Sequence, residues 1–435
     1  MRCNIVHPQA AELVYEIRRI VEDARRLEKA GVEITWENIG DPVAKGERVP
    51  EWIVEHLIAV ARDNRSWGYS PSKGMSESRE YLASLNNARG GAQISPESIY
   101  FFNGLGDAIS KLYRCLNPGA RVLSGSPSYP ISGTYESFCA KQPPICYHLD
   151  PARGWLPDLV EIRAKVKENP QVAGIQITKP DNPTGLVWPK KFIQEVVELA
   201  GEYGLFVISD ETYHRLSFSG RETALLAEVI GEVPGIAMKG ISKEYPWPGS
   251  RCGWMEFYNE DSAPEFKRYI RTLLDAKMLE VCATTQPQMT IPRVMADPRY
   301  PGHLKARCAA YGARAKEFEE AFRGLAGVHA VKPEGAFYAV VSFEQGALNA
   351  GQRLNVENAE ARKFLEGVLA DKNLSQDKRF VFNLLAASGI CVVPLTGFHS
   401  QLQGFRMTLL EQDDSRRAGI YRTLREKVEE YLGSA

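Results

Sequence analysis

Residues 172–258 hold four short apolar runs: VAGIQIT (172–178), LFVISD (205–210), IAMKGIS (236–242) and GWMEFY (253–258). Helical or turn-rich stretches separate them. PKKFIQEVVELAGEYG repeats its apolar residues at helical spacing, with Pro189 near its start and Gly204 at its end, which marks a helix. Strands that are apolar throughout and separated by helices imply a mainly parallel sheet covered on both faces. The expected fold class is therefore α/β.

The pattern extends outward from this block. SIYFF (98–102) reads as a strand, GDAISKLYRCL as a helix stopped by Asn117-Pro118-Gly119, and RVLS (121–124) as a strand entering the turn-rich GSPSYP. Beyond residue 300 the character changes. A long helical stretch (303–325) precedes the strand-like pieces FYAVVSF, GICVVPL and FRMTLL, and an amphipathic helix closes the chain. This predicts a smaller α+β domain, with the polar, partly helical residues 344–380 as an excursion on it. Near the N-terminus Leu13, Ile17, Ile20, Val21 and Ala24 recur at helical spacing. The expected division is an arm over residues 1–48 that belongs to the small domain, a large domain over 49–300 and a small C-terminal domain over 301–435.

Composition removes several classes of function. With 53 basic and 54 acidic residues the formal net charge is −1, so nothing steers toward nucleic acid or an anionic membrane. No run approaches the roughly 20 apolar residues of a membrane helix, and the N-terminus has no apolar core of a secretory signal. The eight cysteines, Cys3, Cys115, Cys139, Cys146, Cys252, Cys282, Cys308 and Cys391, are scattered without a C-x-x-C pair. They read as reduced thiols of a cytoplasmic protein, and no metal site is expected.

In open parallel sheets ligands bind beyond the carboxyl ends of the strands. Polar residues just past the apolar runs are therefore the candidates: Asn182, Asp210, Ser242 and Lys243, with Gly104 to Gly106 where a strand gives way to a helix. The segment Ser242 to Gly253 has the form S-K-x5-G-x-R-x-G. A lysine at a strand end before a Gly/Pro-rich loop suits an amine that must be partly desolvated to attack a carbonyl. It also suits a plain surface charge. Asn182-Pro183-Thr184-Gly185 is by itself an ordinary turn. Asp210, taken alone, fits helix capping, metal binding or pairing with a cofactor nitrogen.

Taken in order, N-P-x-G, D-x-x-Y and S-K-x5-G-x-R-x-G resemble the class I and II aminotransferases of the pyridoxal-phosphate fold type I. Further segments join the resemblance: Asn38 to Pro42, Tyr69 to Gly74 with Arg79, Pro127 to Pro130, Pro333 to Tyr338, and Phe405 to Met407. It runs from about residue 30 to the C-terminus. In look the chain is nearest the alanine and broad-specificity aromatic branch, through N-I-G-D-P and Cys282 to Gln288.

The resemblance implies an enzyme with bound pyridoxal 5′-phosphate. Lys243 would form the Schiff base and shuttle the proton, Asp210 would pair with the pyridine nitrogen, and Asn182 and Tyr213 would bond its phenolic oxygen. Tyr129 would stack on the ring. Arg251, Ser242 and the backbone of Leu105 and Gly106 would hold the phosphate. Arg406 would clamp the substrate carboxylate, with Asn182 beside it and Gly40 letting backbone approach. Tyr69 would reach the phosphate of a neighbouring subunit, which implies a homodimer with shared active sites. The implied reaction moves the amino group of a neutral L-amino acid, alanine first, to a 2-oxo acid such as 2-oxoglutarate, by a ping-pong cycle through pyridoxamine phosphate. A β- or γ-eliminating lyase on the same scaffold and a non-catalytic regulator are the alternatives. His214 and Trp67 are expected only to pack. Two features depart from the pattern. Gly240-Ile241-Ser242-Lys243 lacks one hydroxyl of the usual S-x-S-K, and Gly104-Leu105-Gly106 lacks the lysine of aspartate-specific relatives.

Overall fold

The computed structural model describes residues 5–13 and 15–434; Cys3 and Val14 lie outside them. A short strand β1 (Thr35–Trp36) precedes seven others: β2 (Ile99–Asn103), β3 (Arg121–Ser126), β4 (Cys146–His148), β5 (Val172–Thr178), β6 (Phe206–Asp210), β7 (Gly235–Gly240) and β8 (Cys252–Tyr258). Five more follow: β9 (Val328–Ala330), β10 (Tyr338–Phe343), β11 (Ile390–Cys391), β12 (Val393–Pro394) and β13 (Gly404–Thr408).

The seven strands β2 to β8 form one sheet in the order β2-β8-β7-β6-β5-β3-β4. β8 runs antiparallel to both of its neighbours, and the other pairings are parallel. The expected mainly parallel α/β sheet is thus present. Alternate residues leave its two faces. On one face Phe206 and Ile208 meet the helices Leu105–Arg114 and Pro264–Glu280, through Ile109, Leu112, Phe266 and Ile270. On the other face Val207 joins Ile175, Ile193 and Val196 of the helix Lys190–Glu202. Both faces are buried, which is why these strands carry no polar alternation.

Four buried charges lie across the sheet. Glu211 sits 2.9 Å from Lys179 and 3.5 Å from Lys239, and Lys239 sits 2.6 Å from Glu256. Burial alone would raise the Glu211 carboxyl, but the two lysines hold it down at about 2. Removing one member would strand a buried charge, a loss on the order of 3–5 kcal/mol.

A second apolar cluster gathers Ile20, Ala24 and Leu27 of the helix Glu16–Lys29 with Phe318, Phe405, Leu424 and Val428. It surrounds the four-stranded sheet β12-β13-β10-β9. The expected helix at the N-terminus begins at Glu16, so Leu13 falls outside it and is exposed. GICVVPL does not form one strand: β11 pairs with β1 and β12 with β13. Residues 344–380 are less of an excursion than expected, since Leu354, Val356, Ala361, Leu365 and Phe380 are buried in this cluster. No helix of the described residues is long and apolar enough to cross a membrane.

Candidate active site

The strands of the large sheet deliver their polar ends to one cavity of about 530 Å³, within the size range of small-molecule sites. Asp210 ends β6. Asn182 follows β5, Ser242 and Lys243 follow β7, and Gly104 to Gly106 follow β2. The expected strand over 236–242 stops at Gly240, which frees Lys243 from the ladder. Of the residues expected at the site, Gly40, Leu105, Gly106, Tyr129, Asn182, Asp210, Tyr213, Ser242, Lys243, Arg251 and Arg406 all line this cavity.

Tyr69 does not. It is 87% exposed. Trp67, expected to pack, is 72% exposed, and its indole N–H donates to the Ala61 carbonyl at 2.9 Å. His214 is half-buried, with Nδ1 2.8 Å from the Glu211 carbonyl.

The Lys243 amine donates to the Gly40 carbonyl at 2.7 Å. Burial pushes its pKa down to about 8, helped by Arg406, Arg251 and Arg307 and opposed by Asp41. An amine near that value exchanges a proton readily at neutral pH. Gly40 has a steric reason of its own to be glycine: a Cβ there would lie 1.8 Å from the Tyr338 hydroxyl. Asp210 is buried and accepts from Thr212 N at 3.0 Å and Thr212 Oγ1 at 2.6 Å. Burial raises its carboxyl, and these two bonds oppose the rise. Tyr213 shares a hydrogen bond with the Tyr338 hydroxyl at 3.0 Å.

Arg251 adopts φ 47°, a left-handed conformation that turns the loop back toward the sheet. A Cβ on Gly104 would lie 2.5 Å from the Arg251 guanidinium, and Gly104 itself has φ +80°. Glycine is therefore required there twice over, by conformation and by contact. The helix Leu105–Arg114 starts at that point. Nothing would lie within 4 Å of a Cβ on Gly106, so its first turn opens onto free space. Arg251, the helix N-terminus and Ser242 line the same cavity, and groups of these kinds could hold an anion.

Arg406 marks the other end. It is 1% exposed. Its guanidinium lies between the rings of Tyr338 and Phe398, 4.4 and 5.0 Å from their centroids. Nη1 donates to Asn182 Oδ1 at 3.3 Å and Nη2 to the Asn38 carbonyl. Nε is buried with no partner, and among the described residues no carboxylate pairs with this arginine. A buried cation left so is costly unless a ligand completes it.

A model of the family "Aminotransferase class I and II" matches residues 38–418. The chain belongs to the class I and II aminotransferases. An uncharacterized aminotransferase of Methanocaldococcus jannaschii is 49% identical over 432 residues, covering 99% of this chain and all of that one. The glutamate-pyruvate aminotransferase AlaA of Escherichia coli K12 is 29% identical, covering 83% of this chain and 86% of its own. The alanine aminotransferase of Pyrococcus furiosus superposes with a TM-score of 0.83 at 26% identity, covering 98% of this chain and all of that one. The fold is that of pyridoxal-phosphate fold type I.

Aminotransferases of this family are in general pyridoxal-phosphate dependent, and the cavity fits that group. It offers an anion cradle, a buried carboxyl and a desolvated amine. This aminotransferase also lines its cavity with Tyr15, Arg18, Asp41, Thr212 and Tyr338, to which sequence reasoning gave no role. Tyr338 was visible only as part of a motif. Tyr15 and Arg18 precede and open the helix Glu16–Lys29, and a helical period reports the buried face of such a segment, not the target of its polar face.

Proposed function

We propose that the protein is a pyridoxal-phosphate-dependent aminotransferase that moves the amino group of a neutral L-amino acid, alanine first, to a 2-oxo acid such as 2-oxoglutarate. The observation that carries this reading is Arg406, a buried guanidinium with no carboxylate partner among the described residues, in the same cavity as the desolvated Lys243. When bound, pyridoxal 5′-phosphate supplies an aldehyde carbon and an electron-withdrawing ring that stabilises charge left at the substrate Cα. Arg251, Ser242 and the amides of Leu105 and Gly106 bind its phosphate. Asp210 holds its ring nitrogen, Asn182 and Tyr213 hold the phenolic oxygen, and Tyr129 covers a ring face. Arg406, with Asn182 beside it and the close backbone of Gly40, orients the α-carboxylate. Lys243 Nζ then takes and returns the Cα proton.

Arg18 is a third arginine lining the same cavity, beside Arg251 and Arg406. It suits the distal carboxylate of a five-carbon oxo acid, which supports 2-oxoglutarate as acceptor; the names of the Escherichia coli and Pyrococcus furiosus relatives support alanine. The exposed Tyr69 is assigned to the phosphate of a second subunit, so the working unit is a homodimer. The described cysteines are all unpaired, which supports a cytoplasmic setting.

The test is the absorption spectrum of the cofactor-loaded protein on addition of single L-amino acids without oxo acid. The expected outcome is conversion of the aldehyde form of the bound cofactor to its amine form, fastest with alanine or glutamate. Persistence of the aldehyde form with every amino acid would refute the reading. Accumulation of pyruvate and ammonia would replace it with elimination.

A further inference from the structure

Residues 241–251 lie past the end of β7, so the main-chain carbonyls of Lys243 and Glu244 have no strand to pair with. Such groups need partners when buried. Arg307, on the helix Tyr300–Phe322, supplies them: Nη1 donates to the Lys243 carbonyl at 2.5 Å and to the Glu244 carbonyl at 3.0 Å. His303 Nε2 lies 3.2 Å from the Glu244 carbonyl as well.

The rest of the Arg307 fork is held from a third segment. Nε and Nη2 donate to Glu47 Oε1 and Oε2 at 2.5 and 3.2 Å. Tyr311, one turn further on, donates to Glu47 Oε2 at 2.7 Å and accepts from Arg307 Nη2 at 2.9 Å. The arginine side chain is 6% exposed and the glutamate side chain 16%. A guanidinium with five fixed acceptors has one orientation.

Glu47 ends a loop whose beginning also touches the lysine. The loop runs from Gly40 and is folded on itself by Lys45 N to Asp41 O at 3.2 Å, Gly46 N to Val43 O at 3.0 Å and Glu47 N to Pro42 O at 2.9 Å. Gly40 accepts from the Lys243 amine. In between, Lys45 donates to the Trp36 carbonyl at 3.0 Å and to Glu37 at 2.7 Å. Glu37 in turn accepts from Thr408 at 2.6 Å, two residues past Arg406 on β13. Lysine has four rotatable side-chain bonds, so where its amine reaches depends on where its main chain is pinned.

We propose that Arg307, oriented by Glu47 and Tyr311, is a positioning residue for Lys243, and that the loop Gly40–Glu47 holds this lysine by its main chain and its amine in register with the Arg406 strand. The proposal rests on Lys243 being the lysine that carries the cofactor. The charged groups acting on Nζ are Asp41, Arg406, Arg251 and Arg307, and Asp210 and Tyr213 share its cavity. Of these, Arg307 touches main chain and not the cavity.

The experiment compares holoenzyme variants Arg307→Lys, Arg307→Gln and Glu47→Gln with wild type. It reads kcat, KM and the pH midpoint of the absorption change of the cofactor held by Lys243. Arg307→Lys keeps the charge and loses the fork; kcat should fall about 10- to 100-fold, with KM within about threefold and the midpoint near wild type. Arg307→Gln removes a cation that disfavours protonation, so the midpoint should rise by about half a unit or more. Glu47→Gln leaves that cation unpaired, so the midpoint should fall. A purely structural role would not move the two in opposite directions. Wild-type kcat in Arg307→Lys, or midpoints that stay put or move together, would overturn the proposal. If Arg307→Gln does not fold, Arg307→Lys and the sign of the shift in Glu47→Gln decide. Borohydride reduction of wild-type holoenzyme, followed by peptide mass analysis, separates the two levels. No label on Lys243 overturns this proposal together with the lysine assignment. A labelled Lys243 with unmoved variants overturns the proposal alone.

Discussion

The two cationic ends of the cavity are built on different plans. Arg251 is exposed, sits on a loop in a left-handed conformation, and lines the cavity together with a helix N-terminus and the Ser242 hydroxyl. Arg406 is buried on a strand, pressed between two rings, and has no acidic partner among the described residues. The first end spreads its work over several donors. The second concentrates it in one group whose desolvation is already complete before a ligand arrives. Shared sites tolerate the loss of a member, whereas concentrated ones do not.

Substitutions at three residues test that contrast. Lys243, between the two ends, bounds the scale: Lys243→Ala should lower kcat by at least about 10³-fold with the thermal melt retained. Near-normal turnover would place the chemistry elsewhere. Arg406→Ala comes next. It should lower kcat/KM for the amino acid by roughly 2–5 kcal/mol, about 30- to 5000-fold, and Arg406→Lys should recover little, because a point charge lacks the planar fork. Arg251→Ala should do least, weakening cofactor binding in equilibrium titration by about 1–2 kcal/mol, on the order of tenfold. If the Arg251 loss matches or exceeds the Arg406 loss, the distinction between shared and concentrated ends collapses.

Legibility along the chain followed the range of the contacts. Lys243, Asn182 and Asp210 could be read because each sits at a short offset past an apolar run, and a parallel sheet sends all such offsets to one rim; Arg251 could be read only through the motif that joins it to Lys243. Arg406 was legible through the strand that carries it. Arg307 was not. Its partners, Lys243 and Glu47, lie 64 and 260 residues away, and its own surroundings read as an ordinary helix. Arg18 was hidden for a related reason, since a helical period tells which side is buried and nothing of what the polar side faces. The split of GICVVPL between β11 and β12 was masked by its uniform apolarity. Register decides that break, and register is set by partners on other strands.

The helix Tyr300–Phe322 carries a second arginine seven residues after Arg307. Arg314 donates to the Leu409 carbonyl at 3.0 Å, just beyond the strand of Arg406. Seven residues are close to two full turns, about 10.5 Å along one face. The helix therefore acts as a ruler, with one mark on the Lys243 segment and the other just beyond the strand of Arg406. Any change in its length or straightness between those marks would alter both at once. A shift in the position of Lys243 is thereby tied to a shift in the position of Arg406.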